Sequence, residues 1–439
     1  MKIKDITINP PRLLLFSFLF FLVIGTALLK LPIATHESIS WLEALFTITS
    51  ATTVTGLTVV DTADAFTMFG QIIIMCWIQI GGLGIMSFAI LIFIMLGKKI
   101  GFRERILIQQ SLNQTTIGGV IRLVRNVFIF AFAIEAVAVI CLATRWVPEF
   151  GWGKGLYFSI FHAVSAFNNA GFGLLSNNLV DYVGDPVINI VIAGLFMIGG
   201  LGFTVLVDIW TKPTYRKLSL HSKIMVVGTI AMTVIATLVY YLLERTNPGT
   251  LGSLSHTEQF WASFFQGVSP RTAGFNTIDL TQIHDSTAFF TMILMFIGAG
   301  SASTGGGIKL TTFLVILLAV GAFVRGKNTV VFRKRTIGTS IIFKALAIST
   351  VSLLFVIFAV FIMSITEKAP LVHILYEVFS AFGTVGLTMG LTFHLTWIGK
   401  IVLIFIMILG KLGPLTLVYS LARPKKDNIR YPSEDILTG

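Results

Sequence analysis

Apolar residues in this chain run in long unbroken stretches, without the alternation that marks half-buried helices and strands. A membrane span needs about 20 such residues, and eight stretches qualify: 13–30, 70–96, 126–147, 187–211, 221–244, 287–325, 340–364 and 398–422. Between the two members of each pair lies a shorter, amphiphilic stretch. In order these read "WLEALFTITSATTVTGL", "GLYFSIFHAVSAFNNAGF", "FWASFFQGVSPRTAGF" and "LVHILYEVFSAFGTVGL". A helix of about 12 residues is ~18 Å long, roughly half of a ~30 Å hydrocarbon core. A chain that enters only that far must return to its own side, and such backbone survives only inside protein or along water.

The four stretches align on Gly56, Gly171, Gly274 and Gly386, which are 115, 103 and 112 residues apart. Ten residues before each glycine stands an aromatic, Phe46, Phe161, Phe264 or Tyr376; six before stand Ser50, Ser165, Val268 and Ser380. A glycine cluster follows each: "GGLG" at 81 and 199, "GAGS" at 298, "GKLG" at 410. The expected fold is an all-α polytopic membrane protein of four pseudo-fourfold repeats, each span, pore helix, filter loop and span, around one central pore. Repeat 1 is 1–96, with pore helix 41–52 and filter 53–57; a linker, 97–125, follows. Repeat 2 is 126–211 with filter 168–172. Repeat 3 is 212–325 with filter 271–275 and an intramembrane loop at 298–308. Repeat 4 is 326–422 with filter 383–387, and 423–439 is a tail.

The loops "TTVTGL", "FNNAGF", "PRTAGF" and "FGTVGL" hold one charge, Arg271, and few side chains that bind metal. What they share is glycine, which tolerates positive φ and lets backbone carbonyls turn toward one axis. Rings of carbonyls replace the hydration shell of a monovalent cation, and each short helix aims the negative end of its dipole at the centre. The candidate filter is therefore Thr53, Val54, Thr55 and Gly56; Asn169, Ala170 and Gly171; Thr272, Ala273 and Gly274; and Thr384, Val385 and Gly386. Asn168 is expected to support the second loop. Arg271 is expected to pair with an outer acid.

The sixth stretch spans 39 residues, ~58 Å as one straight helix, nearly twice the hydrocarbon thickness. "GAGSASTGGGIKLTT" marks the break. Gly298, Gly300, Gly305, Gly306 and Gly307 let the chain leave the helix, and Ser301, Ser303 and Thr304 give the freed backbone local partners. With Lys309 they read as a mobile gate under the filter. Lys411, second in "GKLG", reads as a latch on that loop or a positive barrier. The "GGLG" copies at 81 and 199 carry no polar run and are expected to let spans cross closely. Glu135, inside the third span, is either an ion ligand or the partner of a basic residue at a span end. His162 and Glu377 are expected to hold loops in shape.

Composition narrows the class. The chain has 439 residues, 55% hydrophobic and 12% charged, with mean hydropathy +0.88, against about 25% charged in soluble proteins. Cys76 and Cys141 fall in apolar runs and do not suggest a disulfide. The formal charge of +12 is not a nucleic-acid patch. The basic residues cluster between spans, as at Lys98, Lys99, Arg103 and Arg105, and alternate with segments holding Asp61, Asp64, Asp181 and Asp185. By the positive-inside bias both termini are cytoplasmic, and the N-terminal run, lacking a small-residue cleavage site, is a retained span. No HExxH, GxSxG or GxxxxGK[ST] is present, which argues against an enzyme. An ion-coupled secondary transporter with a midplane site is the alternative.

"SATTVTGL", "FNNAGF", "PRTAGFN", "FGTVGLTMG" and "GAGSAST" resemble motifs of the Trk/Ktr/HKT superfamily of potassium transporters, and the resemblance covers essentially the whole chain. It is closest to the membrane subunit of bacterial Ktr systems. The resemblance implies potassium as the transported ion, with Gly56 rather than serine in the first loop favouring it over sodium. It also implies an obstructing loop at 298–308, a homodimer, and a cytoplasmic ring of nucleotide-binding (RCK/KTN-type) regulatory subunits. Sodium enters as a candidate activator, and no cofactor is expected on this chain. In that family the position of Lys411 is usually arginine, so lysine is a departure without the bidentate fork. The linker 97–126 and the tail "NIRYPSEDILTG" become candidate partner and dimer contacts, in a multi-pass protein of the bacterial plasma membrane.

Overall fold

The computed structural model describes residues 10–85, 87, 88, 120–212, 214–421, 432 and 434. The expectations for most of the linker and for the tail lie outside these residues.

Four helices are long and apolar enough to cross a membrane: Pro11–Leu29, Ile121–Phe167, Leu220–Glu244 and Thr339–Thr366. Each opens one repeat. After each comes a short helix: Trp41–Thr53, the C-terminal part of Val120–Phe167, His256–Val268 and Leu371–Gly383. Local sequence sets their starts. Ser40 with Glu43, and Ser255 with Glu258, form reciprocal capping boxes. In the second repeat Gly151, at φ 81°, breaks the long helix just past Pro148, because only glycine takes that φ without strain.

The closing helix of each repeat is broken. Met68–Leu83 ends at Gly84 (φ 90°), Pro186–Leu201 at Gly202 (φ 101°) and Trp397–Leu412 at Gly413 (φ 83°). The Pro186–Leu201 and Phe203–Thr211 segments meet at 93°. In the third repeat Asp285–Phe296 and Leu310–Val324 are separated by a loop, 297–309. The spans expected at 187–211 and 398–422 are thus each two helical segments, and the expected span at 70–96 breaks at Gly84. The last glycine of each GGLG or GKLG sits at positive φ and stops the helix. A small antiparallel hairpin, Val330–Phe332 with Arg335–Ile337, departs from the all-α expectation.

Packing closes the repeats into a ring. Met68–Leu83 packs on Val120–Phe167, Pro186–Leu201 on the pore helix His256–Val268, Asp285–Phe296 on Leu371–Gly383, and Trp397–Leu412 back on Trp41–Thr53. The outer faces are apolar and exposed, as at Phe16, Phe20, Phe132, Ile140 and Val234, while Ser50, Thr53, Asn168 and Thr384 are buried and hydrogen-bonded. This inverts the soluble pattern: the solvent outside is hydrocarbon, and polar groups find partners inside.

Candidate cation pore

The four aligned glycines touch in cyclic order. A Cβ built on Gly56 would stand 2.5 Å from the Ala170 oxygen, on Gly171 2.8 Å from Gly274 Cα, on Gly274 2.3 Å from the Val385 oxygen, and on Gly386 2.2 Å from the Thr55 oxygen. Each of these glycines has positive φ: 91°, 68°, 77° and 93°. So does the residue two before each: Val54 (53°), Asn169 (60°), Thr272 (72°) and Thr384 (48°), while Thr55, Ala170, Ala273 and Val385 between them do not. The sign of φ thus alternates over three residues in every loop, so the backbone changes hand at each step and successive carbonyls can be brought to one side. Left-handed Val and Thr cost about 1–3 kcal/mol each and persist only where the surroundings impose them. The glycine column was legible from spacing; the second left-handed column is not, since only Asn169 belongs to a residue type that favours that region and Val54, Thr272 and Thr384 do not.

The loops are pinned from behind. Thr55, Ala170 and Val385 donate their N–H to Ser50, Ser165 and Ser380 carbonyls at 2.8–2.9 Å. The Ser50 and Ser380 hydroxyls accept from Gly56 and Gly386 N–H at 3.0 and 3.1 Å. In the third loop, where Val268 replaces serine, the Ser269 hydroxyl donates to the Phe275 carbonyl and Ala273 N–H reaches Ser269. His162 accepts from Leu174 N–H, and Glu377 accepts from Thr388 and Thr392, holding the chain beyond the second and fourth loops.

Glu135 pairs with no basic residue among the described residues. Gln79 Nε2 donates to both its oxygens at 3.0 and 3.1 Å, and Asn168 Nδ2 donates to it at 3.3 Å and to Gln79 Oε1 at 2.5 Å. This buried network ties Asn168 to the closing helix of the first repeat. Arg271 is also corrected. It is 8% exposed, makes no salt bridge among the described residues, and its Nε has no partner. It faces Gly200, Thr229 and Ala299, at the level of the intramembrane loop.

That loop lies against side chains of three of the four glycine loops. Thr304 Oγ1 donates to Asn169 Oδ1 at 2.7 Å, Gly306 N–H donates to Thr384 Oγ1 at 2.9 Å, and a Cβ on Gly305 would meet Thr272 Oγ1. All three contacts fall on the left-handed column. The loop is anchored below by the second GGLG: Gly300 and Thr304 N–H donate to Gly200 and Gly199 carbonyls, and Phe203 N–H to Ala302. Gly81 and Gly199 do allow close packing, against the Thr52 and Phe167 carbonyls, but Gly199 and Gly200 also dock the loop, which spacing did not reveal. Within it, Gly298 N–H donates to Ile308 and Gly307 takes φ 67°. Ser303 bonds to Gly300 O at 2.6 Å, and Ser301 lies 3.1 Å from the Thr311 hydroxyl. Two ammonium groups grip adjacent carbonyls: Lys309 Nζ on Gly305 at 2.6 Å and Lys411 Nζ on Thr304 at 2.5 Å.

The family model for TrkH, a cation transport protein, matches residues 17–431. The chain belongs to the TrkH family. It is a family of membrane transporters, not of enzymes. The chain is 54% identical to the Ktr system potassium uptake protein B of Bacillus subtilis, over 100% of this chain and 98% of that protein. It is 41% identical to the potassium/sodium uptake protein NtpJ of Enterococcus hirae, over 98% of each. Its fold matches the crystal structure of the potassium transporter TrkH from Vibrio parahaemolyticus with TM-score 0.74 and 20% identity, over 95% of this chain and 86% of that one.

Proposed function

We propose that this chain is the ion-conducting membrane subunit of a bacterial potassium uptake system. The observation that carries the reading is the cyclic contact of Gly56, Gly171, Gly274 and Gly386, each loop alternating in φ sign. Four loops so arranged surround one path with peptide oxygens, which replace water around a dehydrated monovalent cation. The pore helices end at these loops, so their dipoles add negative potential where the ion sheds its shell.

Loop 298–308 is the gate. It occupies the space under the filter, and its hold is polar: two lysines and two hydrogen bonds to the left-handed column. Polar contacts of this kind are exchanged rather than broken when water enters. A cytoplasmic ring of nucleotide-binding subunits, acting on a homodimer whose termini face the cytoplasm, supplies the force that moves it. Relatives named as Ktr system components support a multi-subunit assembly. The name of NtpJ, which pairs potassium with sodium, supports testing sodium as an activator.

The test is potassium-dependent growth and rubidium-tracer uptake in cells lacking other potassium uptake systems. Expression of this chain with a Ktr-type regulatory subunit is expected to restore growth at low potassium, and Gly56→Ser to weaken discrimination against sodium. Growth no better than an empty vector would reject the reading.

A further inference from the structure

Quasi-symmetry places Asn168 and Arg271 in equivalent positions, each three residues before its filter glycine and each packed beside the closing helix of the preceding repeat. Behind the second loop that helix offers Gln79, two residues before Gly81, and the repeat's own long helix offers Glu135. The Asn168 amide is held by both. Behind the third loop the same helix position is Met197, two residues before Gly199, and the long helix Leu220–Glu244 contributes Thr229. Arg271 therefore shares its crevice with Phe196, Met197, Thr229, Val268 and Ala299 and meets no carboxylate or amide there. Its Nε and the Thr229 hydroxyl are both buried and without a partner.

A guanidinium cannot shed its proton to relieve this, and an uncompensated buried charge is strongly destabilising. The C-terminus of the third pore helix eases the cost in part, but a potassium ion in the filter would add to it. The crevice is narrow, with room for about one water-sized occupant. A water would satisfy one N–H without neutralising the charge.

We propose that this crevice is an anion site, taking one halide ion, chloride in the cell, between the Arg271 guanidinium and the Thr229 hydroxyl. The halide cancels the arginine's charge behind the third filter loop, where it would otherwise repel the conducted cation. The site itself is independent of the proposed function; only its effect on potassium rests on that reading.

The full-length protein is crystallised in bromide and examined by anomalous scattering. A bromide peak beside Arg271 is expected in the wild type and in Arg271→Lys, and no peak in Arg271→Gln. A wild-type crevice holding water, or nothing, overturns the proposal. Should Arg271→Gln not fold, wild-type protein in detergent serves. Its unfolding temperature is expected to rise with bromide or chloride over gluconate at equal ionic strength, and identical curves count against the site. In proteoliposomes, replacing chloride by gluconate is expected to raise the half-saturating potassium concentration several-fold. A bromide peak without any potassium flux would leave the anion site standing and reject the transport reading instead.

Discussion

At the scale of single residues, space and backbone hand decide what each filter position tolerates. A serine at Gly56 must accept φ 91° and place its Cβ 2.5 Å from the Ala170 oxygen, so the neighbouring loop has to give way. Strain of about 1–3 kcal/mol predicts a roughly tenfold or larger loss of potassium uptake for Gly56→Ser, read as tracer flux, with a reversal potential shifted toward sodium. Glu135 acts at one remove: it never meets the path, but it holds Gln79 and Asn168. Glu135→Leu leaves the buried Gln79 amide without its acceptor, at about 1–3 kcal/mol, while Asn168 keeps Gln79 Oε1 and the Val164 carbonyl. The unfolding temperature in detergent is expected to fall by several degrees, and Glu135→Gln, which keeps one acceptor, to fall by less. Equal melting of all three proteins would mean the network contributes nothing.

The broken closing helices set the function at the scale of elements. Three stop at a glycine of positive φ, and the fourth opens into the loop 297–309, which meets Asn169 and Thr384. Among the loop's polar anchors, Lys411 is a charged one that reaches it from another repeat. Losing one charge-assisted bond, worth about 1.5–3 kcal/mol, predicts that Lys411→Ala raises potassium uptake in the absence of regulatory subunits by roughly tenfold or more. Gly202→Ala should act in the same direction from the other side, because its Cβ would stand 2.5 Å from the Ser301 oxygen at φ 101°. Uptake by both variants that still depends on the regulator as the wild type does would exclude the loop as the gate. The long helices tolerate far more change, since their outward residues meet only lipid.

For the whole molecule, ring closure makes the four repeats one object: the last closing helix packs on the first pore helix, so no filter loop is held by its own repeat alone. The alternation of basic and acidic segments orients that object in the membrane. A fluorescent protein that matures only in the cytoplasm is expected to fluoresce when fused to either terminus, and a periplasmic phosphatase fused there to be inactive. The reverse result would invert the proposed direction of the gate and of the regulatory ring.

Long apolar runs, half-length amphiphilic helices and a glycine recurring every hundred or so residues were enough to establish a helical, repetitive membrane protein and to single out the residues around Gly56, Gly171, Gly274 and Gly386. These features are local: they reflect the thickness of lipid and the φ range of one residue type. What only the tertiary structure decided is non-local. The cyclic order of the loops, the docking of the intramembrane loop on Gly199 and Gly200, and the isolation of Arg271 all arise from contacts between segments distant in the chain. A hydrophobic profile records which groups avoid water; it does not record which polar groups meet once water is gone.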